Sequence, residues 1–237
     1  LGLLSSAPCR PFDAERAGIS LGEAAGFALL QRADDAEPHA PRLVGWGEAN
    51  DAHHMSSPHP EGLGAEQALA DALARAGVRA HDIDYINLHG TASARNDEVE
   101  AALVARHFAA PTHASATKGV TGHTMGAAGI VESVVCLHAL ASGHCPGTAH
   151  TQAADAALPA VFRDVFQVLL GGEERELFPT GVHYPDAAVV EIHPLLVVDG
   201  RFREIDQGRA VDVDVQVAGG HRIAAGLADL LGHRLGI

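Results

Sequence analysis

The sequence predicts an α/β fold, and three observations predict it. Short strand-like runs alternate with helix-patterned ones, one strand stops directly at His89-Gly90-Thr91, and one later segment is apolar at almost every position. Alternation of this kind builds layers of helix on sheet, and a helix apolar all round belongs inside such layers.

Taken in order, residues 26–32 (GFALLQR) read as a short buried strand and residues 42–47 (RLVGWG) as another. A loop rich in His, Ser and Pro follows over 51–60. Over 61–76, Leu63, Leu69, Leu73 and Ala76 recur at helical spacing, and Gly77 supplies the C′ glycine that ends a helix. Residues 84–88 (DYINL) form the strand that leads into His89. The next helix is expected to start near Asn96 as N-cap, with Asp97, Glu98 and Glu100 complementing its dipole. The segment 122–142 has almost no polar face and reads as a helix buried on all sides.

After about Leu158 the texture changes. Residues 191–199 (EIHPLLVVD) look like a strand, Val211, Val213, Val215 and Val217 alternate as a half-exposed strand, and Ile223, Leu227, Leu230 and Leu231 suggest an amphipathic helix. The expected division is therefore 1–158 and 159–237, the second part unassigned. It is read as a divergent closing region, part of an adjoining domain, or a non-native tail. No internal repeat is visible.

Composition bounds the function. Hydrophobic residues make up 47% and charged residues 19%, a globular rather than disordered balance. A net charge of −14 argues against nucleic acid as partner. No apolar stretch reaches the roughly 20 residues of a membrane helix, and residues 1–8 lack the basic flank of a secretion signal. Cys9, Cys136 and Cys145 form neither a disulfide framework nor a metal spacing, so a reducing cytoplasm is expected. Leu1 in place of methionine suggests a processed chain or a fragment.

Four residues stand out chemically. His89 ends a strand, where α/β sheets place ligands. His123, in Lys118-Gly-Val-Thr-Gly-His123, sits at the mouth of the apolar helix, where peptide N–H groups favour a neutral imidazole. Such a ring can donate to a carbonyl oxygen becoming an enolate. Glu132 is a carboxylate inside the apolar helix and needs a partner. Lys118 is the chain's one lysine against fifteen arginines, which suggests a site needing its compact ammonium. Each has an ordinary reading as well: with sixteen histidines most are surface or satisfied core residues, and Glu132 could face a water-filled gap. His53, His54 and His59 match no usual zinc spacing.

Five blocks then carry a resemblance. Cys9-Arg-Pro-Phe-Asp-Ala-Glu-Arg16 continuing to Gly22-Glu23-Ala-Ala-Gly26, the loop from Asp51 and His54 to Gly62, Leu88-His89-Gly90-Thr91, Asn96-Asp97 with Glu100, and Lys118 through His123 and Gly129 to Glu132 occur in family order. Together they resemble the decarboxylating, His-His type of β-ketoacyl-acyl-carrier-protein synthase, in its C-terminal half, over about residues 9–158.

The resemblance implies the C-terminal half of a thiolase-like αβαβα layered fold, commonly dimeric, either with itself or with a second synthase-like subunit. It implies condensation of a cysteine-bound acyl group with malonyl-carrier protein and loss of CO2, in fatty acid, polyene or polyketide synthesis. No cofactor is implied, because substrates arrive on the phosphopantetheine of acyl carrier protein. His89 and His123 would hold the malonyl thioester carbonyl, Lys118 would orient the pair, and Glu132 would hold Lys118. Asp13, Arg16 and Glu23 would brace the surroundings. Arg10 and Arg16 are candidates for contact with an acidic carrier protein, or ordinary surface charges.

Two departures matter. The family's nucleophile lies upstream of Leu1, and none of Cys9, Cys136 and Cys145 fits its motif, so this chain alone is expected to be inactive. The family's closing Gly-Phe-Gly-Gly turn is also missing; Gly171-Gly172 and Gly219-Gly220 lack its context. The alternatives are a non-catalytic partner subunit that shapes chain length, and an inactive fragment.

Overall fold

The computed structural model describes residues 3–36, 40–54, 57–168, 188–192 and 195–199. The strand expected over 211–217, the helix expected over 223–231 and both double glycines lie outside the described residues.

Five strands form one sheet in the order β1-β5-β4-β2-β3: β1 Arg42–Gly47, β2 Tyr85–Asn87, β3 His113–Ser115, β4 Ala188–Ile192 and β5 Leu195–Asp199. β2 runs parallel to both β3 and β4, whereas β5 is antiparallel to β4 and to β1. The single strand expected over 191–199 is thus two strands, with Ile192 paired to Leu195. Pro194 falls between them, and proline has no N–H to give to a ladder.

Alternation along β2 separates two layers of helix. Ile86 and Leu88 face a core with Leu69 and Ala72 of α1 (Leu63–Ala76) and with Leu103 and Val104 of α2 (Ala94–His107). Tyr85 faces the other way, onto Cys136, Ala139 and Leu140 of α4 (Ala128–Ser142). One α/β/α sandwich results. α1 ends as expected, with Gly77 at φ 68° in the left-handed conformation.

The core runs on past Leu158. In α5 (Ala160–Val165), Phe162 and Val165 are buried in the same cluster as Leu88, together with Phe166. The Gln167 N–H then donates to the Ala114 carbonyl at 2.7 Å, laying this segment beside β3.

Three further expectations need correction. Residues 26–32 are not a strand and are not buried: Phe27, Leu29 and Leu30 are 98%, 84% and 76% exposed. A strand needs a neighbour for its backbone groups, and no described residue supplies one. The helix α4 is buried along one stripe only, Ala128, Glu132, Cys136, Ala139 and Leu140; the rest of its surface is half-buried or, at Ala141 and Ser142, exposed. Its composition calls for cover on every side, and the sheet covers one. By length and composition the span Met125–Ser142 could cross a membrane, but its buried stripe lies on the sheet and carries Glu132 against Lys118. Finally, α2 begins at Ala94 with Ser93 as N-cap. The Asn96 amide is not a cap; it donates to Asp97 Oδ1 at 3.2 Å and to Glu100 Oε2 at 3.3 Å.

Candidate active site

Strand β2 delivers His89. Leu88 extends the ladder, its N–H on the Ser115 carbonyl at 2.8 Å, and the chain then turns at Gly90 with φ 44°. A Cβ at Gly90 would lie 2.3 Å from the Ala116 methyl carbon, so only glycine fits this turn. The buried Glu100 carboxylate holds the turn from α2, accepting the His89 N–H at 2.6 Å and the Gly90 N–H at 2.9 Å.

His123 is delivered by a different device. It follows the four-residue helix α3 (Lys118–Thr121) and Gly122 at φ 66°. Its backbone is pinned to the N-terminal segment: the His123 N–H donates to Ser20 O at 2.7 Å, and the Gly22 N–H donates to His123 O at 3.1 Å. The approach is close enough that a Cβ on Gly22 would stand 2.1 Å from Thr121 O. A 3-10 turn, Met125–Ala127, separates His123 from α4, and the Met125 N–H donates to His123 Nδ1 at 3.1 Å.

The two half-buried imidazoles meet with ring centroids 5.2 Å apart and planes at 88°. Lys118 Nζ lies 3.1 Å from His89 Nδ1 and is ion-paired with Glu132 Oε1. An ammonium has donors only, so His89 Nδ1 accepts; His123 Nδ1 likewise accepts from a peptide N–H. Each ring then carries its proton on Nε2. The four residues singled out in the sequence are therefore in one place, as two imidazole donors backed by a buried Lys–Glu pair.

Burial governs the acids around them. It pushes Glu132 up to about 7 against the opposing pull of Lys118, and Glu132 Oε2 is buried with no hydrogen-bond partner among the described residues. Burial likewise raises Glu100 to about 7, opposed by the N–H of Gly90, and Asp97 to about 6, opposed by the N–H of Phe12.

The bracing residues divide. Asp13 is buried and accepts the Gln152 and Glu15 N–H groups at 2.9 Å. Arg16, with its side chain only 7% exposed, bonds Asp155 at 2.7 Å and the Asp13 carbonyl at 2.8 Å. It is interior wiring and not a surface contact for a carrier protein. Arg10 is more open and pairs with Glu15 at 2.6 Å. Glu23 is exposed and joins no salt bridge among the described residues, because the segment it heads is itself uncovered.

The thiols are poorly suited to attack. Cys9 is buried, donates to the Lys118 carbonyl at 3.0 Å and has its pKa raised by burial; Cys145 is pushed up to about 12 for the same reason. Cys136 is fully buried in α4. Among the described residues no group of three His, Cys, Asp or Glu is arranged to hold a metal. The His53 and His59 rings lie with centroids 5.0 Å apart, and Asp51 accepts their backbone N–H groups at 3.0 and 2.8 Å.

Sequence reading missed the grip of Glu100 on the His89 turn, having counted it as a dipole acid. Its position between Val99 and Ala101, on the buried side of α2, was the available signal.

Known proteins resemble much of this chain. Residues 41–152 match the family "Beta-ketoacyl synthase, C-terminal domain". The chain is 37% identical over 155 residues to the mitochondrial 3-oxoacyl-[acyl-carrier-protein] synthase of Arabidopsis thaliana, covering 62% of this chain and 34% of that protein. It is 36% identical to nodulation protein E of Rhizobium leguminosarum bv. trifolii, covering 65% and 40%. It thus spans well under half the length of these curated relatives. Among solved structures it resembles a ketosynthase (ApeO) in complex with its chain length factor (ApeC) from Xenorhabdus doucetiae, with TM-score 0.64, 36% identity, and coverage of 84% of this chain and 47% of that one. The ishigamide ketosynthase/chain length factor gives TM-score 0.68 at 28% identity, covering 85% and 49%. Residues 41–152 thus match the C-terminal domain of β-ketoacyl synthases, and the chain shares the thiolase-like fold of the ketosynthases.

Proposed function

We propose that this chain supplies the decarboxylating half of a 3-oxoacyl-[acyl-carrier-protein] synthase site. The observation that carries the reading is the pair of perpendicular imidazoles 5.2 Å apart, each with Nδ1 already accepting a hydrogen bond.

In this reading the thioester carbonyl of a malonyl group, carried on phosphopantetheine, accepts from Nε2–H of His89 and of His123. The bond to the terminal carboxylate breaks, CO2 leaves, and the electron pair enters the enolate, whose oxygen takes the negative charge. Preorganised donors at that oxygen are worth roughly 3–4 kcal/mol each. Lys118 keeps the His89 proton on Nε2, and Glu132 balances the Lys118 charge. The enolate carbon then attacks the carbonyl of an acyl thioester held by a cysteine; the new carbon–carbon bond forms, the acyl–sulfur bond breaks, and the cysteine leaves as thiolate. Burial raises Cys9 and Cys145, and Cys136 is enclosed in α4, so the nucleophile comes from outside these residues and the chain by itself does not complete the condensation.

Partners follow from the same reading: acyl carrier protein, and a second synthase-like subunit, either a copy or a relative. The reducing cytoplasm expected from three free cysteines belongs to it too. Residues 160–168, 188–192 and 195–199 belong to the synthase unit as its closing region, since the first segment completes its core and the two strands complete its sheet. Retention of both histidines and the Lys–Glu pair weighs against a non-catalytic partner subunit.

The test is His123→Ala in the full-length synthase containing this region. CO2 release from malonyl-carrier protein is expected to stop while acyl loading of the cysteine continues; undiminished CO2 release would overturn the reading.

A further inference from the structure

Helix α3 has a site residue at each end, Lys118 at its start and His123 just past Gly122, and both ends are fastened to the N-terminal segment. The Cys9 thiol donates to the Lys118 carbonyl at 3.0 Å, on the same oxygen that accepts the Gly122 N–H at 3.0 Å. The Ser20 carbonyl accepts the His123 N–H at 2.7 Å. The two fasteners are themselves joined. The Cys9 N–H donates to Ser20 Oγ at 2.9 Å, and that hydroxyl gives its own proton to the Ala7 carbonyl at 3.1 Å. A closed ring results, from Cys9 to Ser20, to His123 and its neighbour Gly122, to Lys118 and back to Cys9. α3 also rests on this segment directly, since a Cβ at Gly119 would stand 3.4 Å from the Cys9 carbonyl oxygen.

We propose that Cys9 and Ser20 are the positioning residues of α3, fixing Lys118 and His123 relative to one another, with the Cys9 thiol acting as a hydrogen-bond donor and not as a nucleophile. Burial raises the Cys9 pKa, so the thiol keeps the proton that the bond needs. A carbonyl oxygen has two lone pairs, and Lys118 spends one inside its own helix and one on Cys9. A thiol is a weak donor, but at 2% exposure Cys9 leaves no room for water to replace it. A helix of four residues does not hold its shape unaided, because nucleating one turn is costly, so outside bonds decide where its ends lie. Both fasteners lie before residue 41, outside the matched family region 41–152. His123 is therefore seated by residues that the region containing it does not include.

The catalytic consequence rests on the proposed function, whereas the ring of bonds is read out without catalysis. Infrared spectra of the whole chain, each taken as the difference from its Cys9→Ser counterpart, isolate the Cys9 S–H stretching band. It is expected below the frequency of a free thiol, and at the free-thiol position in Ser20→Ala. Amide hydrogen exchange is then measured for Ser20→Ala, Cys9→Ala and Cys9→Ser. Ser20→Ala leaves the Ser20 carbonyl in place, yet it is expected to lower protection of Gly122 and His123 about threefold, with the Leu88 and Phe108 amides unchanged. Cys9→Ala should do the same, and Cys9→Ser should restore protection by supplying a hydroxyl donor. Loss confined to the Cys9 amide in Ser20→Ala would overturn the coupling. Uniform loss across the chain, or a Cys9→Ser no better than Cys9→Ala, would reduce Cys9 to packing and overturn the proposal. If Cys9→Ala does not fold, Ser20→Ala decides alone, since its hydroxyl is only partly buried.

In the full-length synthase, Cys9→Ala is expected to lower kcat for malonyl decarboxylation about threefold with KM unchanged, and Cys9→Ser to recover it. Unchanged kcat beside lost protection would overturn the positioning role. A wild-type synthase that releases no CO2 while the infrared and exchange patterns hold would remove the functional reading and leave the ring intact.

Discussion

The Nζ of Lys118 stands 3.1 Å from Nδ1 of His89 while it is ion-paired with Glu132, so one ammonium ties the strand-end turn of β2 to α3 and α4. Both members of the ion pair are enclosed, and breaking such a pair from one side leaves a charge without a partner. Lys118→Met is expected to destabilise the chain by about 3–5 kcal/mol in urea denaturation near pH 8. The loss should be smaller near pH 5, where Glu132, already raised to about 7, takes up a proton. Lys118→Met with Glu132→Leu should recover most of the stability and, in the full-length synthase, none of the proposed decarboxylation. A single variant as stable as wild type at both pH values would contradict the pairing.

Stability should rise on mild acidification. Asp97, Glu100 and Glu132 have folded-state values of about 6, 7 and 7, above their unfolded values near 4. A raised acid binds its proton more tightly when folded, so its contribution is complete below the unfolded value and is lost as pH rises through the folded one. Burial lowers His113 and His138, which works in the opposite direction as pH falls below 6.5, but these are half-exposed groups. The melting temperature is therefore expected to be higher at pH 5 than at pH 8. Below pH 4 it should fall again, as exposed acids such as Asp82, held at about 2 by Arg79, lose their charge. A melting temperature that climbs steadily from pH 5 to 8 would contradict the buried acids.

Gly22→Ala tests the seating of His123. The added methyl would meet the Thr121 carbonyl oxygen at 2.1 Å, and backbone cannot swing aside as a side chain can. A cost of about 1–3 kcal/mol is expected. In the full-length synthase, decarboxylation should fall by more than the stability loss explains. Gly126→Ala, where a Cβ meets nothing within 4 Å, is the control expected to leave both unchanged.

The uncovered apolar ribbon makes a prediction about association. Phe27, Leu29 and Leu30 stand out from the chain, and Gly26 just before them packs on Ile130 of the half-covered α4. Exposed apolar surface of this extent drives association. The isolated chain should self-associate in sedimentation velocity runs, and Phe27→Lys with Leu30→Lys should shift it toward monomer.

Much of this was legible in the sequence, for identifiable reasons. Local rules located α1, with its apolar spacing and Gly77, and the strand ahead of His89. The partnership of Lys118 with Glu132 was legible because a lone lysine and a carboxylate in an apolar run each demand an explanation. Long-range matters were not legible. Residues 26–32 have a strand's composition, but whether they are covered depends on a neighbour that no local pattern names. Arg16 reads from the sequence either as a brace or as a surface charge, and only the closing of Asp97 and Asp155 around it decides between the two. Glu100 fitted the helix-dipole rule so well that its bond to the His89 turn went unsuspected.

The order of strands has a consequence for biosynthesis. β2, which leads into His89, lies between β3 and β4, and Tyr85 is paired with Val189 on β4. Until the ribosome has released β4, one flank of the histidine-bearing strand has no ladder to join. A nascent chain halted after Ser142 would have made every residue of the histidine pair and the Lys–Glu pair, yet the sheet that aligns them would still be open on one side.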